Sequence, residues 1–217
     1  MAPGDTSALR ELRRIALGWW KLRRLRRRVA RAPCWTVADL PEDSFGRVTG
    51  HARPFDTVLT APLSGRSCVF YRVEIEERGP FRMNNGRLAS EQNFVPFVLE
   101  DRRHHAVIDP TDAWIEVRCD HATESKAYFD ADSTQRALLQ RYGLVDRNWF
   151  DTTSLRFAES IIGVDHVISV IGAGTREPDP ELAPQGVYRE GSATRIRLTS
   201  SARFPLVITD DPDTFVR

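Results

Sequence analysis

The sequence has few cysteines and no long hydrophobic run, and each shortage excludes a class of protein. Only three cysteines occur among 217 residues, and no two of them have the spacing of zinc ligands. An odd number of cysteines, without the spacing typical of a disulfide framework, favours reduced thiols and a reducing compartment. Uncharged stretches such as residues 166–175 are short, whereas a membrane-spanning helix needs about 18 consecutive apolar residues. We therefore expect no disulfide framework, no metal centre and no spanning helix.

Composition and charge describe one soluble domain with an appendage. A chain with 41% hydrophobic and 28% charged residues is typical of a globular protein with a sizeable core. Its net charge of +1 hides a division of charge along the chain. Residues 1–31 hold ten basic and two acidic side chains, a net charge of +8, whereas the remainder holds 21 basic and 28 acidic ones, a net charge of −7. Such a basic segment is expected to meet an anionic surface or the acidic body of its own chain.

The basic segment is predicted to be an amphipathic helix. It runs from Ser7 to about Ala32, with Ser7 or Thr6 as its N-cap and Pro33 as its stop, and only Gly18 weakens the pattern. Apolar side chains gather on one broad side at the helical period, and most basic side chains lie opposite. We therefore divide the chain into a basic helix, residues 1–33, and a β-rich domain, residues 34–217.

Two adjacent tryptophans beside an arginine cluster suit the headgroup zone of an anionic membrane, because indole rings insert there while guanidinium groups contact phosphates. The membrane-binding residues predicted on this basis are Trp19, Trp20, Lys21, Arg23, Arg24, Arg27 and Arg28. The same pattern also fits packing against the body, self-association into a homo-oligomer, or binding to nucleic acid. Because the segment is rich in arginine, mitochondrial targeting stays open as well.

In the rest of the chain, short strand candidates alternate with turns, which predicts a mostly β (α+β) domain built as a β-barrel or sandwich with one inserted helix. Asn84-Asn85-Gly86 predicts a hairpin turn, and a helix is expected to begin at Asp132 or Ser133 and end at Gly143. The strand candidates are residues 47–51, 57–61, 68–77, 94–100, 106–108, 114–119, 155–161, 167–171, 186–188, 194–198 and 206–208.

Catalytic and metal-binding patterns are weak throughout. Ser64 and Cys68 have no histidine at a motif spacing, so neither is expected to be an activated nucleophile. Cys119 and His121 are metal-ligand types, but two ligands do not make a site. The glycines of Gly172-Ala173-Gly174 lack the rest of a dinucleotide fingerprint and predict a tight turn leaving a strand. We expect no cofactor and no enzymatic activity.

Glu159 is a charged residue in an otherwise apolar strand candidate. On a period of two it shares a face with Phe157 and Ile161. It is expected either to point outward or to pair with an arginine such as Arg156. Its functional alternative is to hold the backbone or a basic group of a partner.

Several segments, taken in order, resemble a known domain family. They are residues 45–50, the stretch from Ala61 to Arg72, residues 97–101 and 106–110, residues 155–163, residues 167–174 and residues 204–209. In that order they resemble the GIDE domain, also called BAM for "beside a membrane", known from the mitochondrial outer-membrane E3 ubiquitin ligase and from bacterial proteins. The similarity covers roughly residues 35–217. Its motif positions, which the resemblance marks as candidates for partner binding, are Pro62, Ser64, Gly65, Cys68, Tyr71, Glu159 and Gly172.

Two features that members of this family often carry, a RING finger and a transmembrane helix, are missing from this sequence. A RING finger needs about eight zinc ligands, which three cysteines do not supply, so ligase activity does not carry over. The resemblance therefore implies a non-catalytic recognition or scaffolding module for an unknown protein partner, cytoplasmic and peripheral at a membrane. One alternative is an accessory part of a ubiquitin-ligase-like or bacterial stress or defence system, with catalysis supplied by another chain. The other is a nucleic-acid binder, which the acidic body disfavours.

Overall fold

Strands dominate the computed structural model, which describes residues 29–78, 86–102, 104–126, 130–144, 154–179 and 194–211. Within these ranges the chain forms thirteen strands and one complete helix, which confirms the mostly β fold class. The strands are β1 (Cys34–Trp35), β2 (Phe45–Pro54), β3 (Leu59–Thr60), β4 (Ser67–Arg78), β5 (Gly86–Phe94), β6 (Phe97–Asp101), β7 (His104–Ile108), β8 (Trp114–Glu116), β9 (His121–Ser125), β10 (Ser154–Gly163), β11 (Val167–Pro178), β12 (Thr194–Thr199) and β13 (Val207–Thr209). The helix is α1 (Ser133–Arg141).

Eight strands form the first sheet, in the order β1-β2-β6-β7-β12-β11-β13-β8. β2 also pairs antiparallel with β11, from His51 opposite Val167 to Phe45 opposite Ala173. This extra pairing closes β2, β6, β7, β12 and β11 into a ring of five strands. Three pairs in the sheet are parallel, namely β1 with β2, β7 with β12 and β8 with β13. The first sheet is therefore a closed ring extended at its margins by β1, β13 and β8.

The second sheet has the order β3-β4-β10-β9, with β5 paired to β4. Its centre is the long antiparallel pair of β4 and β10, which extends from Arg78 opposite Ser154 to Cys68 opposite Gly163. A short turn with Asp165 at φ 70° leads from β10 directly into β11 of the first sheet. The two sheets are thus joined covalently at the end of their longest strands.

Apolar side chains from both sheets fill the ring. Phe97, Leu99 and Ile108 of the first sheet form one cluster with Phe70 of β4 and Ile162 of β10, all of them buried. Burying an apolar side chain of this size stabilises the fold by roughly 1.5–3 kcal/mol. The second sheet therefore contributes one of its faces to the core of the ring.

Helix α1 covers the opposite face of the second sheet. Its Leu138 and Leu139 pack with Val73 of β4 and Phe157 of β10 in a second cluster. The predicted N-cap is confirmed, because the Asp132 side chain accepts a hydrogen bond from the Gln135 backbone N–H and the Gln135 side chain accepts one from the Asp132 N–H. Gly143 follows the helix at φ 63°, a conformation that glycine adopts without strain, so the predicted stop is confirmed as well.

The expectation of a tight turn at Gly172-Ala173-Gly174 is wrong, because β11 continues through these residues to Pro178. Gly172 lies opposite Gly46 of β2, and a Cβ at Gly172 would come within 2.7 Å of the Leu206 Cδ1 atom. The glycines therefore permit close packing inside a strand, not a turn.

Other predictions fall partly or wholly outside the described residues. The antiparallel pairing of β4 with β5 confirms a hairpin, although residues 84 and 85 of its predicted turn are not among those described. The strand expected at residues 186–188 lies outside as well. So does the N-terminal helix, apart from residues 29 and 30, which are helical.

Candidate functional site

The turn at residues 62–65 joins β3 to β4 and holds the first three motif positions. The Gly65 N–H donates to the Ala61 carbonyl, and the Ala61 N–H donates to the Arg66 carbonyl, both at 2.9 Å. Gly65 lies at φ 70°, in the left-handed region that costs other residues energy. The Ser64 hydroxyl accepts a hydrogen bond from Arg66 Nε at 3.1 Å. The turn predicted at Ser64-Gly65 is confirmed, and these hydrogen bonds close it within the loop.

Glu159 lies beneath this turn and is completely buried. Its two carboxylate oxygens accept hydrogen bonds from the backbone N–H groups of Leu63 at 2.7 Å and Ser64 at 3.1 Å. As alternation predicts, it belongs to the face of β10 that carries Phe157 and Ile161, between them. A buried carboxylate is costly unless hydrogen bonds compensate it, and here the turn supplies them. Glu159 thus anchors the turn instead of pointing outward, and Arg156 pairs with Glu76.

A second set of contacts connects Glu159 and the turn to Asp120, which lies just before β9. The Asp120 N–H donates to the Glu159 backbone carbonyl at 3.2 Å. The Asp120 side chain in turn forms an ion pair with Arg66 at 2.8 Å. The turn, β10 and the segment leading to β9 are therefore held together through both the main chain and the side chain of Glu159.

Cys68 follows the turn at the start of β4 and is fully buried beside Leu59 and Ile161. Its Sγ donates to the Leu59 carbonyl at 3.7 Å. Burial, reinforced by the charge of Glu159, raises the pKa of the Cys68 thiol to about 11. Since the thiolate is the reactive form, Cys68 is protonated and unreactive at neutral pH.

Tyr71 links β4 to the hairpin and to the helix. Its hydroxyl donates to the Glu91 carboxylate at 2.7 Å, and the Tyr142 hydroxyl and the Arg141 guanidinium donate to the same carboxylate at 2.6 and 2.7 Å. Burial favours a higher pKa for Glu91, but these three donors outweigh it and lower that pKa. Burial and the hydrogen bond to Glu91 raise the pKa of both tyrosines. The cluster of Tyr71, Glu91, Arg141 and Tyr142 therefore holds β5 and the end of α1 against β4.

Cys119 and His121 do not form a metal centre with their neighbours. Cys119 Sγ donates to the His121 carbonyl at 3.4 Å, and Asp120 between them is engaged by Arg66. In the part of the chain that the structure describes, no three His, Cys, Asp or Glu side chains converge as metal ligands would.

The predicted membrane-binding residues, Trp19 to Arg28, lie outside the described residues, but the junction that follows them is visible. Arg47 Nη2 donates to the Val29 carbonyl at 2.7 Å, and the Arg47 N–H donates to the Pro33 carbonyl at 2.8 Å. Ala32 is buried in a small cluster with Ile171 of β11. The basic segment therefore joins the β domain at a fixed point on the ring.

Several of these positions have no signal in the sequence. Arg47 lies in a strand candidate between Gly46 and Val48, and Glu91 follows a predicted turn, so neither suggests a role by itself. Their partners, Val29 for Arg47 and Arg141 and Tyr142 for Glu91, are distant in sequence. Only the alternation of side chains along β10 had pointed to one such residue, Glu159.

Among the described residues, no helix combines the length and the apolar character needed to cross a bilayer. Comparisons with protein-family models, curated proteins and solved structures found no significant match to this chain.

Proposed function

We propose that the chain is a non-catalytic recognition or scaffolding module of the GIDE/BAM type, held at an anionic membrane surface by its N-terminal basic segment. The observation that carries the proposal is the junction between the segment and the body. Arg47 binds the carbonyls of Val29 and Pro33, and Ala32 is buried. Because the segment is attached to the β domain through these contacts, a surface that binds the segment also holds the β domain beside it.

The division of charge supports a membrane as the surface that the tether meets. The first 31 residues carry a net charge of +8, and the adjacent Trp19 and Trp20 can insert where lipid headgroups begin. Each basic residue close to an anionic bilayer contributes about 1 kcal/mol of binding free energy. A few such residues with two indoles are sufficient for reversible peripheral binding.

The motif positions of the body support binding over reaction. Glu159 is occupied by the backbone of its own turn, and Cys68 holds a buried, protonated thiol. These residues build a rigid frame around the turn, whose outer surface is presented to a partner. In this proposal any ligase chemistry belongs to another chain.

Liposome co-sedimentation of the full chain tests the proposal. Vesicles of phosphatidylcholine alone are compared with vesicles containing phosphatidylserine, at low and high salt. We expect binding to anionic vesicles that weakens with salt, because counterions screen the arginines. The double variant Trp19→Ala/Trp20→Ala should lose binding, as should a variant with Arg23, Arg24, Arg27 and Arg28 changed to glutamine.

The matched control removes a tryptophan from the body. Trp114 is 43% exposed on β8, and Trp114→Ala should sediment with vesicles like the unchanged protein. A full chain that stays in the supernatant under every condition would overturn the membrane proposal. Salt-sensitive binding to an oligonucleotide in that case would favour the nucleic-acid interpretation instead.

A further inference from the structure

The basic segment joins the β domain on one outer wall of the ring, the outer face of β2, β11 and β13. In the first sheet β11 lies between the other two strands. Ile168 and Val170 of β11 belong to the core, so Ser169 and Ile171 point outward. Strand pairing arranges the outward side chains of the three strands in two rows. The first row is Arg47, Ile171 and Val207, and the second row is Thr49, Ser169 and Thr209.

The end of the basic segment covers the first row. Ala32 is buried in a cluster with Ile171 and Val207, and Val29 packs against the same cluster. The Ala32 N–H donates to the Val29 carbonyl at 3.2 Å, so these two residues share the last turn of the segment. Val29 and Ala32 therefore lie on the side of the segment that faces the wall.

The second row is buried as well. Ser169 is 0% exposed and Thr209 is 5% exposed, although both point away from the core. The described elements that make extensive contact with β11 are β2, β12 and β13, its neighbours in the sheet. Sheet neighbours shield the flanks of an outward side chain but not its end, so a further part of the chain lies over this row. Val167, one row further along β11, is 45% exposed and marks where the cover ends.

The basic segment has an apolar residue at the position that this row requires. Leu25 precedes Val29 by four residues, so both lie on one side of the predicted helix. Four helical residues span about 6 Å along the axis, and neighbouring rows on a strand are about 6.6 Å apart. The Thr49 and Ser169 hydroxyls hydrogen-bond to each other at 2.8 Å, which suits an apolar cover. A helix that continues from Val29 along the strands thus places Leu25 over Ser169.

We propose that the last turns of the basic helix dock on this wall through Leu25, Val29 and Ala32, and that the docked helix presents its basic side to the membrane. At the helical period, the half of the helix opposite these residues is basic. Its basic residues are Arg23, Arg24, Arg27 and Arg31. Docking therefore leaves the arginines free to contact lipid phosphates.

The docked helix also sets the orientation of the β domain. A helix is about 10 Å across with its side chains, so it lies between the wall and the bilayer. Residues before Leu25 extend past the buried rows, which leaves Trp19 and Trp20 outside the contact. The orientation towards a membrane rests on the proposed function, whereas the docking itself does not.

Disulfide cross-linking of the full chain without lipid tests the docking. Cys34 and Cys119 are exposed and are first changed to serine, while the buried Cys68 is kept. In that background we expect Leu25→Cys with Ser169→Cys to form a cross-link under mild oxidation, because disulfides join Cβ atoms about 3.5–4.5 Å apart. The matched control is Arg27→Cys with Ser169→Cys, which should not cross-link because Arg27 lies on the opposite side of the helix. Peptide mass spectrometry identifies the linked positions.

Two results of this experiment would overturn the docking. One is no cross-link in the Leu25 pair, or equal cross-linking in both pairs. The other is a cross-link of Phe215→Cys with Ser169→Cys in place of the Leu25 pair, which would assign the cover to the C-terminal residues.

Cysteine variants could misfold, so hydrogen exchange of the unchanged protein decides independently. Short helices are marginal in water, and docking should slow the exchange of amides 25–28 at least about tenfold relative to a synthetic peptide of residues 1–33. Equal exchange rates in the protein and the peptide would refute the docking.

Vesicle binding separates this inference from the proposed function. The cross-linked Leu25→Cys/Ser169→Cys protein should sediment with anionic vesicles as well as its reduced form does, because the basic side stays exposed. Binding that is lost on cross-linking and returns on reduction would overturn the orientation, since the docked side would then be the one that meets lipid. If the reduced form also fails to bind, the membrane function and the orientation are both refuted, while the cross-link still establishes the docking.

Discussion

The Glu159 carboxylate accepts the backbone N–H of Leu63 at 2.7 Å inside the second sheet, across 96 positions of sequence. We predict that Glu159→Gln lowers the free energy of unfolding by about 1–3 kcal/mol, because the amide nitrogen places a donor against a buried N–H donor. Urea unfolding measures the change. Glu124→Gln is the control, since Glu124 pairs with Arg78 at an exposed site where such pairs contribute about 0–1 kcal/mol. Equal effects of the two substitutions would contradict the anchoring role.

A side chain at position 65 should lower the stability of the fold, although there is space for one. An added Cβ would meet no atom within 4 Å, so any cost comes from its φ of 70° alone. We predict that Gly65→Ala costs about 1–2 kcal/mol of stability. Gly86→Ala, at the start of β5, is the control, because it also meets no atom but has no positive φ. A neutral Gly65→Ala in thermal unfolding would show that the turn relaxes to another conformation.

Cysteine alkylation should separate the three thiols. Cys34 and Cys119 are exposed, whereas Cys68 is buried with a pKa raised to about 11. At pH 7.5 we expect iodoacetamide to modify Cys34 and Cys119 in the native protein and all three cysteines after denaturation. Peptide mass spectrometry identifies the modified positions. Rapid native modification of Cys68 would mean that the turn opens or that the thiol is activated.

The cluster around Glu91 should make stability depend on acid pH. Its pKa in the folded protein is lowered from the usual 4.5, so its ionised form stabilises the fold above that value. This contribution is lost as the pH falls through the lower pKa of the folded state. We therefore predict that Glu91→Gln is less stable than the unchanged protein at pH 7 and that the difference shrinks below about pH 4.5. Chemical denaturation across this range measures it, and a difference that stays constant with pH would exclude the linkage.

Local patterns in the sequence predicted much of the fold. β-branched and aromatic runs located most strands, Asp132 and Gly143 marked the helix, and alternation placed Glu159 between Phe157 and Ile161. These features depend on neighbours within a few residues, which is why a single sequence reveals them.

Features that depend on long-range pairing could not be predicted. The sequence places Gly172 in a predicted turn, but the structure shows that a glycine is needed there because Leu206 packs closely against it. Leu206 is distant in the sequence, so no local pattern indicates this contact. For the same reason nothing in the sequence indicated that the turn would supply the donors for Glu159. A surface cleft lined by Arg53, His105 and Arg195 also depends on the closed ring, which brings these three residues together.

The central claim is that the tryptophan pair enters a membrane, and lipid quenching of its fluorescence tests this most directly. In the full chain, Trp35, Trp114 and Trp149 are changed to phenylalanine so that only Trp19 and Trp20 emit. Anionic vesicles with brominated acyl chains are compared with the same vesicles without bromine. We predict that brominated vesicles quench the emission at low salt and that high salt restores it. Emission that is the same with both vesicles at low salt would contradict the membrane tether.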